Sequence, residues 1–217
     1  RIHDIHSHIP QALELYPAPT LFRMMSLILG SQAVAIQSLF FEFGSEQMLH
    51  RDPVLIPLGA PGHLAAAWIA LEDIVPNSGN LIYYPGSHRL PYFEFSPNNY
   101  KFDGSKMAQA EIDAGFEFEE QQCSLHGLEA EALTAKKGDV FIWHGSLRHG
   151  GSPIIDHSLT RRSFVVHYSR TDSYKKRSIS ISRGVSDANG LSVMETNRIL
   201  TLGDSIGFDN PMLGTER

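Results

Sequence analysis

Short apolar segments, each closed off by Pro or Gly, recur between Ala33 and Tyr168, and no other pattern in the chain limits its fold as strongly. The first spans residues 33–43, where Val34, Ile36, Leu39, Phe41 and Phe43 read as a strand. Residues 64–71, LAAAWIAL, are almost continuously apolar. A run this short, bounded by turn residues, reads as a buried strand. Residues 81–84 follow the turn Pro76-Asn77-Ser78-Gly79 and stop at Pro85-Gly86. Residues 140–144 and 163–168 add two more strands, and residues 50–58 are another candidate, interrupted by Pro53 and Pro57. Helical signals are fewer. Thr20 is placed to cap a helix that runs to Leu29 and ends at Gly30. Residues 106–123 are rich in Ala, Glu and Gln and are expected to be helical, with Gly115 against them. The expected fold is mainly β, a double-sheet jelly roll with flanking α-helices. It forms one domain, 1–217, with a barrel core at about 33–170 and a helical and loop insertion at about 91–135. The last forty or so residues carry scattered Ser, Gly and Asn and give no pattern.

Composition removes several functions. The 217 residues, 42% hydrophobic and 19% charged, are those of an ordinary globular chain able to bury a core. The net charge of −6 offers no basic face to nucleic acid. No apolar run reaches the roughly 18 residues of a membrane span, and residues 21–29 are short and carry Arg23. The chain opens at Arg1 rather than Met, so targeting information can precede it. Cys123 is the only cysteine, which excludes an internal disulfide and a thiolate zinc cluster and suits a cytoplasmic location. Regular strand–helix alternation is absent, and so is a glycine-rich phosphate loop. Metal chemistry must therefore come from the eleven histidines and the carboxylates.

His50-Arg51-Asp52 is the only His-x-Asp or His-x-Glu in the chain. On a strand, residues i and i+2 share a face, with Cα atoms roughly 6.6 Å apart. An imidazole and a carboxylate so spaced can converge on one cation. A third ligand on a later strand would complete a 2-His-1-carboxylate facial triad, which leaves open positions on Fe(II) for oxygen chemistry. His144 and His149 are the candidates, both in Trp143-His144-Gly145-Ser146-Leu147-Arg148-His149-Gly150-Gly151.

Four blocks in this order resemble the phytanoyl-CoA dioxygenase family of Fe(II)/2-oxoglutarate oxygenases. They are His50-Arg51-Asp52, Trp68-Ile69-Ala70-Leu71-Glu72-Asp73, Gly79-Asn80-Leu81 running to Pro85-Gly86-Ser87-His88, and Gly138-Asp139 running to His149 with Arg161 beyond. The resemblance implies a double-stranded β-helix (cupin-like), which agrees with the jelly roll. It implies His50, Asp52 and His149 as iron ligands, with His144 leading in. It implies Arg161, rather than the adjacent Arg162, as the grip on the distal carboxylate of 2-oxoglutarate, where a planar guanidinium suits bidentate capture. Trp68 and Leu39 are expected to line that co-substrate pocket, and Arg51 is counted with them. O2 is then the second co-substrate, ascorbate supports activity, and the outcome is hydroxylation of a C–H bond in a small molecule with release of succinate and CO2. Two departures stand out. The family often has Ser two residues after the distal histidine, where this chain has Gly151, and the interval from His149 to Arg161 is one residue longer than expected. Asp52 itself argues against the halogenating relatives, which lack the carboxylate.

Other histidines have plainer readings. His3, His6 and His8 read as an exposed N-terminal segment, His88 as a structural turn residue, and His167 as a neighbour of the pocket on the Arg161 side. His63, His126 and His157 show no partner in the sequence. Two rivals use the same residues: a zinc hydrolase on the His2Asp site, and a non-catalytic cupin-like binding protein. The first leaves Arg161 and Trp68 without a duty, and the intact set of His50, Asp52, His149 and Arg161 argues against the second. The substrate and the oligomeric state are not legible.

Overall fold

A computed structural model describes residues 1–16, 18–56, 60–101, 107–175, 198–202 and 205–209. A short strand, β1 (Ile2–His3), precedes helices α1 (Pro10–Leu15) and α2 (Pro19–Leu29). Both helices start on proline, whose fixed φ and missing N–H suit the first turn. The N-cap of α2 is therefore Ala18, and Thr20 lies inside the first turn rather than capping it. Gly30 ends α2 in the left-handed region at φ 62°. Next come β2 (Ala33–Phe41), the single turn α3 (Asp52–Leu55), β3 (Leu64–Ala70) and β4 (Leu81–Tyr83). Helix α4 (Gln109–Leu125) precedes β5 (Glu131–Ala132), β6 (Val140–His144), β7 (His149–Gly151) and β8 (Ser163–Arg170). Then follow α5 (Thr171–Lys175), β9 (Arg198–Leu202) and β10 (Ser205–Asp209). Residues 176–197, part of the patternless C-terminal stretch, lie outside the described residues.

The strands form two sheets, the jelly-roll arrangement. The larger runs β6-β3-β8-β2-β10-β9, with β1 also on β2; the smaller runs β5-β4-β7. At its centre, in β3 and β8, the larger sheet is buried on both faces. On one face Ala65, Ala67, Ile69, Phe164, Val166 and Tyr168 meet Leu21, Phe22, Met25 and Leu29 of α2. Each such large apolar side chain contributes about 1.5–3 kcal/mol when fully buried, so this layer anchors the helices. On the other face Ala66, Trp68, Ala70, Val165 and Trp143 pack towards Leu81 of the smaller sheet. This double burial explains why β3 shows no polar alternation: all seven of its residues are buried.

One irregularity decides what faces the interior. The β2–β8 register shifts between Ala35 and Gln37, as in a β-bulge. Strand side chains alternate, so one extra residue exchanges the faces. Ala33 and Ala35 pack with the helices, whereas Leu39 and Phe41 pack with Trp68 and Val165 between the sheets.

Several expectations need correction. Residues 50–58 do not form a strand. His50 makes an isolated antiparallel bridge with His149, and the chain then turns into α3, with Pro53 in its first turn; Pro57 and Leu58 lie outside the described residues. Of the N-terminal histidines only His8 is exposed; His3 is half-buried and His6 is buried. His6 is 1% exposed, stacks on Tyr16 at 3.6 Å between centroids and bonds with Ser38 Oγ at 2.6 Å. Helix α4 runs through Gly115. Among the described residues, no helix is long and apolar enough to cross a membrane.

Candidate active site

His50 and Asp52 are brought to His149 by backbone pairing, not by a shared strand face. His50 N–H donates to the His149 carbonyl and His149 N–H donates to the His50 carbonyl, both at 2.9 Å. Two residues on, Asp52 N–H donates to the Gly145 carbonyl at 3.0 Å. The loop between β6 and β7 thus seats the whole His-x-Asp segment. Asp52 Oδ1 then lies 3.6 Å from Nε2 of His50 and 3.6 Å from Nε2 of His149. One ligand atom from each of the three residues fits within a 4.8 Å span.

The hydrogen bonds around this group set its chemistry. Nδ1 of His50 sits 2.8 Å from the Met48 carbonyl, and Nδ1 of His149 sits 2.9 Å from the Leu147 carbonyl. A carbonyl only accepts, so each Nδ1 carries the proton and each Nε2 presents a lone pair. Burial pushes the His149 imidazole down to about 4, which keeps it neutral. Burial alone would raise the Asp52 carboxyl, but His149, His167 and His50 outweigh it and hold the group well below the usual carboxylate range. The other oxygen, Oδ2, accepts the Trp143 indole N–H at 2.8 Å. Two imidazoles, each held at Nδ1 by a carbonyl, and one carboxylate are a donor set that fits a divalent metal.

A cavity of about 420 Å³ opens from this group. Leu39, Trp68 and Arg161 line it, together with His50, Asp52, His149 and His167. Arg161 is 3% exposed and meets no carboxylate among the described residues. Its Nη1 donates to Ser163 Oγ at 3.2 Å, its Nε finds no acceptor, and its guanidinium carbon lies 5.3 Å and 5.7 Å from the Phe41 and Trp68 ring centres. Burial lowers its pKa to about 10, so it stays charged at neutral pH. The Trp68 indole N–H is likewise buried and unbonded. A desolvated cation beside a free donor fits a carboxylate ligand.

The remaining candidates fall elsewhere. Arg162 is half-exposed and pairs with Glu42 and Glu72 at the surface. His144 is absent from the group; its Nδ1 accepts from Ser146 N–H at 3.1 Å. Arg51 does not line the cavity with Arg161. It turns the other way, 2.7 Å from Glu119, and donates to the Leu90 carbonyl at 2.9 Å. Of the histidines without evident partners, His63 meets Ser173 Oγ at 2.7 Å and His126 donates to the Gln122 carbonyl at 2.9 Å.

His167 comes closer than a pocket neighbour. Its Nε2 also lies 3.6 Å from Asp52 Oδ1. Trp143 has no sequence signal for its role, because its bond to Asp52 spans 91 positions. Gly151 has a steric reason to differ from Ser. A Cβ there would collide with Ser45 Oγ and sit 2.7 Å from Glu46 N, because residues 45–47 pass directly over it.

Comparison with known proteins bears on this geometry. The Phytanoyl-CoA dioxygenase (PhyH) family model matches residues 14–163. The peroxisomal phytanoyl-CoA dioxygenase of Rattus norvegicus is 28% identical over 157 residues, covering 71% of this chain and 38% of the rat protein. The chain thus spans well under half the length of that relative. Among solved structures, the non-heme alpha-ketoglutarate-dependent carbocyclase SnoK from nogalamycin biosynthesis superposes with a TM-score of 0.60 at 20% identity, over 78% of this chain and 62% of that one. EctD from S. alaskensis, solved with 2-oxoglutarate and 5-hydroxyectoine, gives 0.59 at 22% identity, over 79% and 56%. At these identities the structural likeness carries the fold. The family match covers more than two thirds of the sequence, and the chain belongs to the phytanoyl-CoA dioxygenase family.

Proposed function

We propose that this chain is an Fe(II)- and 2-oxoglutarate-dependent dioxygenase that hydroxylates an unactivated C–H bond of a small organic molecule. The balance is 2-oxoglutarate, O2 and R–H to succinate, CO2 and R–OH. The observation that carries this reading is one cavity holding both the His50–Asp52–His149 group and the unpaired cation Arg161. A zinc hydrolase would use the first and leave the second without purpose.

His50, Asp52 and His149 would hold the iron, and Arg161 the distal carboxylate of 2-oxoglutarate. Iron with its co-substrates supplies the oxygen activation and the C–H oxidation. The protein orients and shelters. The carbonyls of Met48 and Leu147 keep each Nε2 free to ligate, and Trp143 keeps Oδ1 of Asp52 turned inward. Trp68, Leu39 and Phe41 wall the co-substrate from water, which strengthens the Arg161 pairing by lowering the local dielectric. The chain needs no proton-transfer residue of its own.

Mixing metal-free protein with Fe(II) and 2-oxoglutarate under argon tests the assignment. A weak visible metal-to-ligand band is expected, together with slow succinate release once air and ascorbate are added. His149→Ala should abolish both. A wild-type chain with neither band nor 2-oxoglutarate binding would sink the proposal, and a band that survives His149→Ala would move the third ligand elsewhere.

A further inference from the structure

A second cavity, of about 280 Å³, adjoins His50. It shares Gln47, His50 and Leu55 with the larger cavity, whereas Trp68 and Arg161 line only the larger one. We propose that this second cavity seats the organic substrate, and that the substrate is an uncharged molecule built on a flat system of about two rings. The inference rests on the dioxygenase reading and adds to it the class of molecule oxidised.

The walls argue for rings. Tyr92, Phe93, Phe95, Tyr100 and Phe116 all line the cavity. Tyr92 and Tyr100 pack at 4.9 Å between centroids, and Phe93 meets Phe95 edge-on at 5.1 Å and 82°. The first pair is tilted and the second T-shaped, both at the spacing of favourable aromatic pairs, so the rings brace one another and present faces and edges to a further ring. Helix α4 closes the side with a glycine. A Cβ on Gly115 would sit 3.3 Å from Phe95 Cζ and 3.4 Å from Phe93 Cδ1, so the bare backbone lets both rings lie against the helix. As to size, a cavity of about 150 Å³ accepts benzene, and the space here is nearly twice that.

The polar groups argue for a neutral ligand. The charged lining residues are Arg51 and Glu119, and they face each other at 2.7 Å. Arg51 is further committed to the Leu90 carbonyl and lies 4.7 Å from the Tyr92 ring centre. The Tyr92 hydroxyl already donates to Ser146 Oγ at 2.6 Å. An incoming ion would shed its water and meet charges already neutralised by each other, which is costly. Arg51, positioned by the same segment as His50 and Asp52, thus serves this wall rather than the co-substrate.

Calorimetric titration of the metal-free protein with three probes tests the proposal: tetralin, 2-naphthoate and 1-decanol. Tetralin is expected to bind at least about tenfold tighter than 2-naphthoate, whose carboxylate lacks a counter-charge. It should also bind at least about tenfold tighter than 1-decanol, which cannot stack. Ile112→Trp, which fills the cavity from α4, should weaken tetralin by at least about tenfold. If that variant fails to fold, as judged by its thermal melt, Phe116→Ala is the second variant, expected to weaken tetralin severalfold. Absence of tetralin binding, equal affinity for 2-naphthoate, a preference for 1-decanol, or indifference to the substitution that folds would each overturn the inference. The Fe(II)–2-oxoglutarate band under argon separates the two readings. A chain that forms the band but ignores tetralin refutes the ring pocket alone. A chain that binds tetralin without forming the band refutes its role as oxygenase substrate.

Discussion

Replacing Trp143 with Phe isolates one hydrogen bond at the heart of the site. The indole N–H donates to Asp52 Oδ2 at 2.8 Å, in a setting where Asp52 is 3% exposed and Trp143 4%. Two effects follow, and they are separable. The first is on folding. A bond to a charged acceptor contributes about 1.5–3 kcal/mol, which at about 2–4 °C per kcal/mol for a chain this size lowers Tm by about 3–12 °C. The second is on metal affinity. With Oδ2 released, the carboxylate can rotate, and Oδ1 is no longer pinned 3.6 Å from Nε2 of His50 and of His149. Groups that orient a metal ligand from behind are worth about 10–100-fold in affinity, or about 1.4–2.8 kcal/mol. Calorimetric titration with Co(II), an oxidation-stable stand-in for Fe(II), reads the second effect, and thermal melting of the metal-free chain reads the first. A Co(II) affinity within about twofold of wild type in a folded variant, with Tm lowered as expected, would refute the reasoning: Trp143 would then be packing and not orientation.

Three further outcomes are expected. Arg161→Met should abolish 2-oxoglutarate binding, measured under argon with Fe(II), yet raise Tm without ligand, because it removes a buried cation that meets no carboxylate among the described residues; a lower Tm with binding intact contradicts this. The metal-free chain should lose stability as pH falls from about 6.5 towards 4. His149 is held neutral down to about 4 when folded, so across that window the unfolded chain binds the extra proton. The loss is of order a few kcal/mol, read by urea melts at several pH values, and it should disappear in His149→Ala. Gly151→Ser should destabilise by about 1–3 kcal/mol through overpacking against residues 45–47, and an unchanged melt would show that this segment yields.

The sequence made the layers legible because burial leaves a local trace. Residues 64–71 read as a buried strand since a sheet covered on both faces needs apolar residues at every position, and β3 has them. What escaped has causes that are not local. A helical single turn at Asp52–Leu55 replaced the expected strand; Pro53 was the clue, since proline favours a helix's first turn as much as it breaks a strand. His6 reads as exposed because nothing near it in sequence shows that Tyr16 and Ser38 enclose it. Arg51 groups with the co-substrate by its place between His50 and Asp52, yet its extended backbone at the start of α3 turns it onto Glu119 instead. The convergence of His50, Asp52 and His149 was suggested by motif order, but Trp143 behind Asp52 depends on a pairing far apart in the chain.

The bulge near Ile36 has a consequence for how such a chain can vary. Upstream of it, β2 serves the helical layer through Ala33 and Ala35; downstream, it serves the reaction chamber through Gln37, Leu39 and Phe41. The odd-numbered positions of this strand therefore serve the two layers in turn, while Phe40 keeps the second half in contact with the helical layer. Changes that repack α2 against the first half need not disturb the chamber, and changes that reshape the chamber need not loosen the helices. Deleting Ile36 would restore plain alternation and still leave Ala35 with the helices and Gln37, Leu39 and Phe41 with the chamber, since Ala35 and Gln37 pair with the consecutive residues Tyr168 and His167.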